Sequence, residues 1–383
     1  MEVSEAIDRV CESARNRLKP ERVRLAKERQ AAVFAWREPD YLPLTFHAPA
    51  PELDGLPCYD WRERWHEPDK SFLEQMKAVV GCAAAESDAL PSLRADTGVV
   101  NGPSLFGAGF GVPPHTKPVV TQYVAKEKLA AFALPDDIRP LGIAPRIVEH
   151  MEHHLALLRK HGLADSVGMH HCDTQGPFDI AEQTRGHDFF TDLYEDPAFV
   201  EHLMTQATRA YVALNRLCKS LNGEPPSGGN ASGFWMERGG VRLCDDSGIL
   251  LSPRLYEEQI LPHQAKALAE FQGGWIHYCG GVPGGGRREG LHLHDAYLKI
   301  PALRGLNFTT GHDQAAEVRK VIGKKVAYIG GFPRGKDEAL EDYFRRVLSL
   351  CPGKRGILFG PELRPGEHPR ALDAWHKCQE EMF

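Results

Sequence analysis

The sequence predicts an α/β protein whose C-terminal two-thirds form a TIM-type (β/α)8 barrel behind an N-terminal helical and loop extension. Three observations predict it. The 383 residues exceed one average domain but suit a barrel of roughly 250 residues with an addition. From about residue 165, short apolar runs alternate with helical patterns, which implies a parallel sheet joined by helical crossovers. An open doubly wound sheet is the rival, yet no strand is followed by the glycine spacing of a dinucleotide site. The glycine-rich run 280–286 lacks both that spacing and the ending of a phosphate loop, and reads as a loop.

Taken in order, residues 1–40 read as charged helix, followed by a Pro-rich irregular stretch from Pro43 to about Asp69. A helix is expected over 71–85, then Glu86-Ser87-Asp88, then a Gly/Pro-rich cap of loops reaching Pro118. The regular part predicts strands near 166–171, 240–244, 275–278, 305–308, 326–329 and 356–359. Helices are expected at 178–185, 253–271, 315–322, 338–350 and 369–381. Asp196-Pro197 and Ser252-Pro253 each put a capping side chain before a proline whose missing N–H costs nothing at the first helical position. After Asp196, Phe199, Leu203, Tyr211, Leu214, Leu217 and Leu221 mark one helical face.

Composition excludes several classes. Apolar residues at 42% and charged residues at 26% are an ordinary globular balance. A net charge of −6 argues against a nucleic-acid partner, since such proteins carry a basic field. No apolar run approaches the roughly 20 residues of a membrane span, and the N-terminus is too polar for a signal peptide. A cytoplasmic protein with no membrane partner is expected. The nine cysteines are scattered and odd in number, so they read as reduced thiols.

Barrel chemistry sits on the loops after the strands, and polar runs recur there. They are His170-His171-Cys172-Asp173, Asp245-Asp246, His277-Tyr278-Cys279, 307–313 and Gly360-Pro361-Glu362. Residues i and i+2 of a strand share a face, so the His277 imidazole and the Cys279 thiol could converge on one ion. Nitrogen and sulfur together suit zinc; the alternative is a barrel-lining histidine beside a buried cysteine. Of Asp245 and Asp246, which face opposite ways, at most one enters a site. His150, His153 and His154 read as a solvated helix face, His292-x-His294 as a surface loop, and Asp88 as a loop cap.

Gly176-Pro177-Phe178 before a helix, Asp245-Asp246 followed by Leu251-Ser252-Pro253, His277-x-Cys279-Gly280 and the Gly330-Gly331 strand end stand in a telling order. In that order they resemble the uroporphyrinogen decarboxylase superfamily, which includes the corrinoid-dependent methyltransferases. The likeness covers roughly residues 80–383, with Glu86-Ser87-Asp88 resembling the family's early aspartate. It implies an extension over 1–80 and a barrel over 81–383. True decarboxylases hold their porphyrinogen carboxylates with an N-terminal arginine-rich stretch, whereas 32–43 here has only Arg37. The chain therefore looks nearer the methyltransferase branch.

That branch places zinc on a His-x-Cys pair and a later cysteine. His277 and Cys279 match the pair, but no cysteine stands near 359–362, where Glu362 could supply oxygen instead. The resemblance implies methyl transfer with a small-molecule donor or acceptor, zinc, and a methylcobalamin-type corrinoid. The corrinoid would arrive on a separate carrier protein, because Asp-x-His-x-x-Gly is absent. Alternatives are a metal-free, decarboxylase-like enzyme on a small carboxylated substrate, and a non-catalytic binding protein. In the metal-free case Asp88, Asp246 and His171 would be the polar actors. All of Asp88, His171, Asp246, His277 and Glu362 are expected to face one cavity.

Overall fold

The computed structural model describes residues 1–279, 290–308 and 315–383. The N-terminal helical pattern divides into α1 (Val3–Arg17) and α2 (Pro20–Phe34). Pro20 cannot donate inside a helix and instead opens a new one. In α3 (Trp61–His66), the Asp60 side chain and Glu63 cap each other reciprocally, and α4 (Pro68–Ala85) follows at once.

Next come β1 (Ser92–Leu93), α5 (Asn101–Leu105), the hairpin of β2 (Gly109–Gly111) and β3 (Val119–Gln122), α6 (Lys126–Ala130) and α7 (Ala144–Lys160). Then follow β4 (Gly168–Met169), α8 (Pro177–Arg185), α9 (Asp188–Glu195) and α10 (Pro197–Asn222). In α10 the Asp196 side chain accepts the Phe199 N–H at 3.1 Å. Gly223 ends the helix at φ 71°, a left-handed position that suits glycine.

The antiparallel hairpin of β5 (Gly229–Ala231) and β6 (Phe234–Met236) is absent from the sequence expectation. Its turn, Ser232-Gly233, has positive φ at both residues, as a two-residue hairpin needs. After β7 (Arg242–Cys244) come α11 (Pro253–Leu255) and α12 (Leu261–Ala269), separated by a π turn at Tyr256–Ile260. Pro262, just beyond, has no N–H to continue the regular ladder. The remaining elements are β8 (Gly274–His277), α13 (His294–Tyr297), β9 (Leu303–Asn307), α14 (Ala315–Gly323), β10 (Ala327–Gly330), α15 (Leu340–Leu348), β11 (Ile357–Phe359) and α16 (His368–Met382).

Five strands form one parallel sheet in the order β11-β10-β9-β8-β7. One level of it runs Cys244, His277, Asn307, Ile329, Leu358 in register. β1 and β4 form a separate parallel pair. Leu44 bridges Phe359 in parallel, and the Leu44 carbonyl accepts the Asp88 N–H at 2.8 Å. Between β4 and β7 the link is a side chain: His171 Nε2 accepts the Arg242 main-chain N–H at 3.3 Å.

One apolar core joins Ile7 and Val10 of α1 to Leu243, Ile276 and Leu306 of the sheet, so the N-terminal helices share it. The expected solvated face of α7 is corrected. His150 and His154 are buried, with His154 against Phe72, and His153 is half-buried. Burial pushes His150 down to about 4 and His154 to about 3, so both rings are neutral. No helix among the described residues is long and apolar enough to cross a membrane.

Candidate metal centre

Adjacent residues after β7 separate into two roles, as strand alternation requires. Asp245 is fully buried and accepts from Tyr256 Oη at 2.6 Å, Tyr297 Oη at 2.9 Å and Gln264 Nε2 at 3.0 Å. Burial raises its pKa to about 7, against the lowering effect of the two tyrosine hydroxyls. Asp246 instead turns to the neighbouring strand end, where its Oδ1 accepts the Cys279 N–H at 2.5 Å.

Donor atoms of Asp246, His277 and Cys279 all lie within 4.8 Å of one another. His277 Nε2 is 3.0 Å from Cys279 Sγ, and its Nδ1 is 2.5 Å from Asn307 Oδ1. Partial covering and the nearby Asp246 carboxylate push the Cys279 thiol up to about 11. The sulfur is therefore protonated at neutral pH. A cation there would reverse this by stabilising the thiolate.

The loop carrying Asp246 is held from below by α8. Buried Asp179 accepts the Asp246 N–H at 2.9 Å and the Ser247 N–H at 2.8 Å, one on each oxygen. Burial, and then the charges of Asp245 and Asp246, raise its pKa. Nearby, Arg242 Nη2 donates to Asp173 Oδ1 at 2.5 Å, and Arg94 approaches the other oxygen at 3.6 Å. Burial alone would raise Asp173, but the two guanidiniums outweigh it and hold the carboxyl below its usual range.

The other expected site residues lie elsewhere. Asp88 is buried in an ion pair with Arg29 (2.8 Å) and accepts the Leu44 N–H at 3.0 Å; burial raises its pKa despite Arg29. His171 Nδ1 donates to the Cys172 carbonyl at 2.8 Å, while Nε2 faces Ser232 Oγ and the Arg242 N–H. Burial lowers it to about 3 and keeps it neutral. Glu362 is exposed, accepting the Arg334 N–H at 3.0 Å. In the sheet order β11 stands three steps from β8, roughly 14 Å along the hydrogen-bonding direction, while β7 is adjacent. Among the described residues the carboxylate grouped with His277 and Cys279 is that of Asp246, and Asp88, His171 and Glu362 are not in that group.

The runs 280–286 and 309–313 lie outside the described residues. His294 corrects its surface-loop expectation: it is buried, with Tyr278 Oη at 2.7 Å from Nε2 and Glu317 at 3.2 Å from Nδ1. Sequence reasoning missed Asp179 and took Asn307 only as part of the polar run 307–313. Asp179 follows the Gly176-Pro177 helix start, and Asn307 ends the strand next to His277; neither residue type is distinctive alone.

No family model matches the chain, and no curated protein matches it. Among solved structures it is similar to a methyltransferase from Methanosarcina mazei, at 16% identity and a TM-score of 0.60. The likeness covers 93% of this chain and 98% of that one. At that identity it establishes a common fold along nearly the whole length of both chains.

Proposed function

We propose that the chain is a corrinoid-linked methyltransferase with a zinc ion held by Asp246, His277 and Cys279. The observation that carries the reading is the convergence of those three donors at adjacent strand ends. Nitrogen, sulfur and oxygen are donor types zinc accepts, and three protein ligands leave the open position of a catalytic site. Zinc, when bound, would supply positive charge that favours the thiolate of a small acceptor. A corrinoid on a separate carrier protein would supply the methyl group, and exposed Cys279 keeps the centre reachable from solvent. The chain's own part is positional. Asp179 fixes the loop of Asp246, Asn307 orients His277, and the Cys279 N–H bond ties the two strand ends.

The fold belongs to the same proposal. Segment 43–46, the 88–93 run, β4 and β7–β11 would make the eight strands of a TIM barrel. The Leu44–Phe359 bridge, the Asp88–Leu44 main-chain hydrogen bond and the His171–Arg242 link support closure. The metal-free alternative is less favoured, because Asp88 and His171 are both committed to buried structural partners. Zinc content of wild type and Cys279→Ala, measured beside methyl transfer from methylcobalamin to a thiol, tests the proposal. Stoichiometric zinc and transfer, both lost in the variant, are expected. Wild-type protein that stays metal-free after zinc-replete growth overturns it.

A further inference from the structure

Asn307 is the in-register neighbour of His277, and Ile329 is the neighbour of Asn307 on the next strand. Residues at one level of adjacent strands share a face, so the carboxamide sits between the imidazole and the following strand. Its Nδ2 donates to the Ile329 carbonyl at 2.6 Å, and its Oδ1 lies 2.5 Å from His277 Nδ1. A main-chain carbonyl only accepts, so it dictates which end of the amide faces it; the reversed amide would oppose two acceptors. With Oδ1 turned to the ring, Nδ1 must carry the proton. A neutral imidazole has one N–H, which leaves the lone pair on Nε2, the nitrogen 3.0 Å from Cys279 Sγ.

We propose that Asn307 is a positioning residue that fixes His277 as its Nδ1–H tautomer, making Nε2 a ready metal donor before any ion arrives. The metal half of this rests on the zinc reading above; the tautomer half does not. Asn307 is itself oriented by β10, so the register of three strands is translated into the protonation of one ring. An imidazole free to exchange tautomers would spend part of its time with a proton on Nε2, where it cannot ligate.

The test is ¹⁵N NMR of the metal-free protein with labelled histidine, the His277 signals being assigned by their loss in His277→Gln. A protonated Nδ1 and an unprotonated Nε2 are expected in the neutral wild-type ring. Asn307→Leu should lose that pattern and weaken zinc binding roughly 10–100-fold, the usual cost of removing such an outer partner. Asn307→Asp keeps an oxygen for Nδ1–H but sets its second oxygen against the Ile329 carbonyl, so it should recover the pattern only in part. A wild-type spectrum with the proton on Nε2 overturns the proposal, whatever the zinc result. A wild-type spectrum with Nδ1–H, lost in Asn307→Leu, in a protein that binds no zinc overturns the metal reading and leaves the tautomer assignment standing.

Discussion

Asp246 and Cys279 are joined by a hydrogen bond from the Cys279 main-chain N–H to Asp246 Oδ1, at 2.5 Å. The bond brings a carboxylate to the His-x-Cys pair from the neighbouring strand end, which makes Asp246 rather than Glu362 the oxygen donor of the proposed zinc site.

Removing each carboxylate in turn separates them. Asp246→Ala should weaken zinc binding by more than the roughly 10–100-fold typical of losing an outer partner. Glu362→Ala should leave it unchanged, because Glu362 bonds Arg334 instead. Competition with a chromophoric chelator reads both, and the opposite ranking would restore Glu362 as the ligand.

Cys279 in the metal-free protein should resist alkylation at neutral pH. A free cysteine ionises near 8.5, whereas this thiol is pushed up to about 11. A raised pKa means less thiolate at any given pH, so the iodoacetamide rate should climb toward pH 11 rather than level off near 9. Tandem mass spectrometry of the Cys279 peptide across pH follows it; a plateau near 9 contradicts the shift.

Asp179→Ala should destabilise the fold by about 2–6 kcal/mol, since two main-chain N–H groups lose a buried acceptor and each costs about 1–3 kcal/mol. Asp179→Asn retains one accepting oxygen and should lose less. Urea unfolding monitored by tryptophan fluorescence gives the comparison, and equal losses would mean that the two bonds contribute little.

Acid should destabilise the protein through its buried histidines. For His154 the folded pKa is about 3 against about 6.5 for an exposed ring. The unfolded chain thus takes up a proton first. Stability is unaffected above 6.5, falls as pH drops from 6.5 toward 3, and is lost by at most about 1.4 kcal/mol per pH unit for this ring. His154→Leu should flatten that slope in chemical denaturation at stepped pH. An unchanged slope would show that the ring is protonated in the folded state.

Helices were more legible in the sequence than the site. Asp196-Pro197 and Ser252-Pro253 mark their helix starts because capping is local chemistry, confined to three or four residues. The same locality exposed the His277–Cys279 pair. Asp246 could be seen to compete with Asp245, but its partnership with Cys279 depends on β7 lying beside β8. His150 and His154 misled because their neighbours Glu149 and Glu152 are polar, while the ring environment is set by Trp65 and Phe72. Asn307 has meaning only through the register of β8, β9 and β10.

The meeting of segment 43–46 with β11 has a consequence for how the protein is made. Thr45 hydrogen-bonds Phe359 across 314 residues, and α16 grips Leu42 through Trp375 Nε1 at 2.6 Å and Gln379 Oε1 at 2.7 Å. Translation at about 5–20 residues per second therefore leaves Leu42, Leu44 and Phe46 without their C-terminal neighbours for tens of seconds. During that interval the nascent chain presents an apolar edge to chaperones and to other chains. Expression yield should consequently respond to synthesis temperature and chaperone supply, even where the finished protein is equally stable.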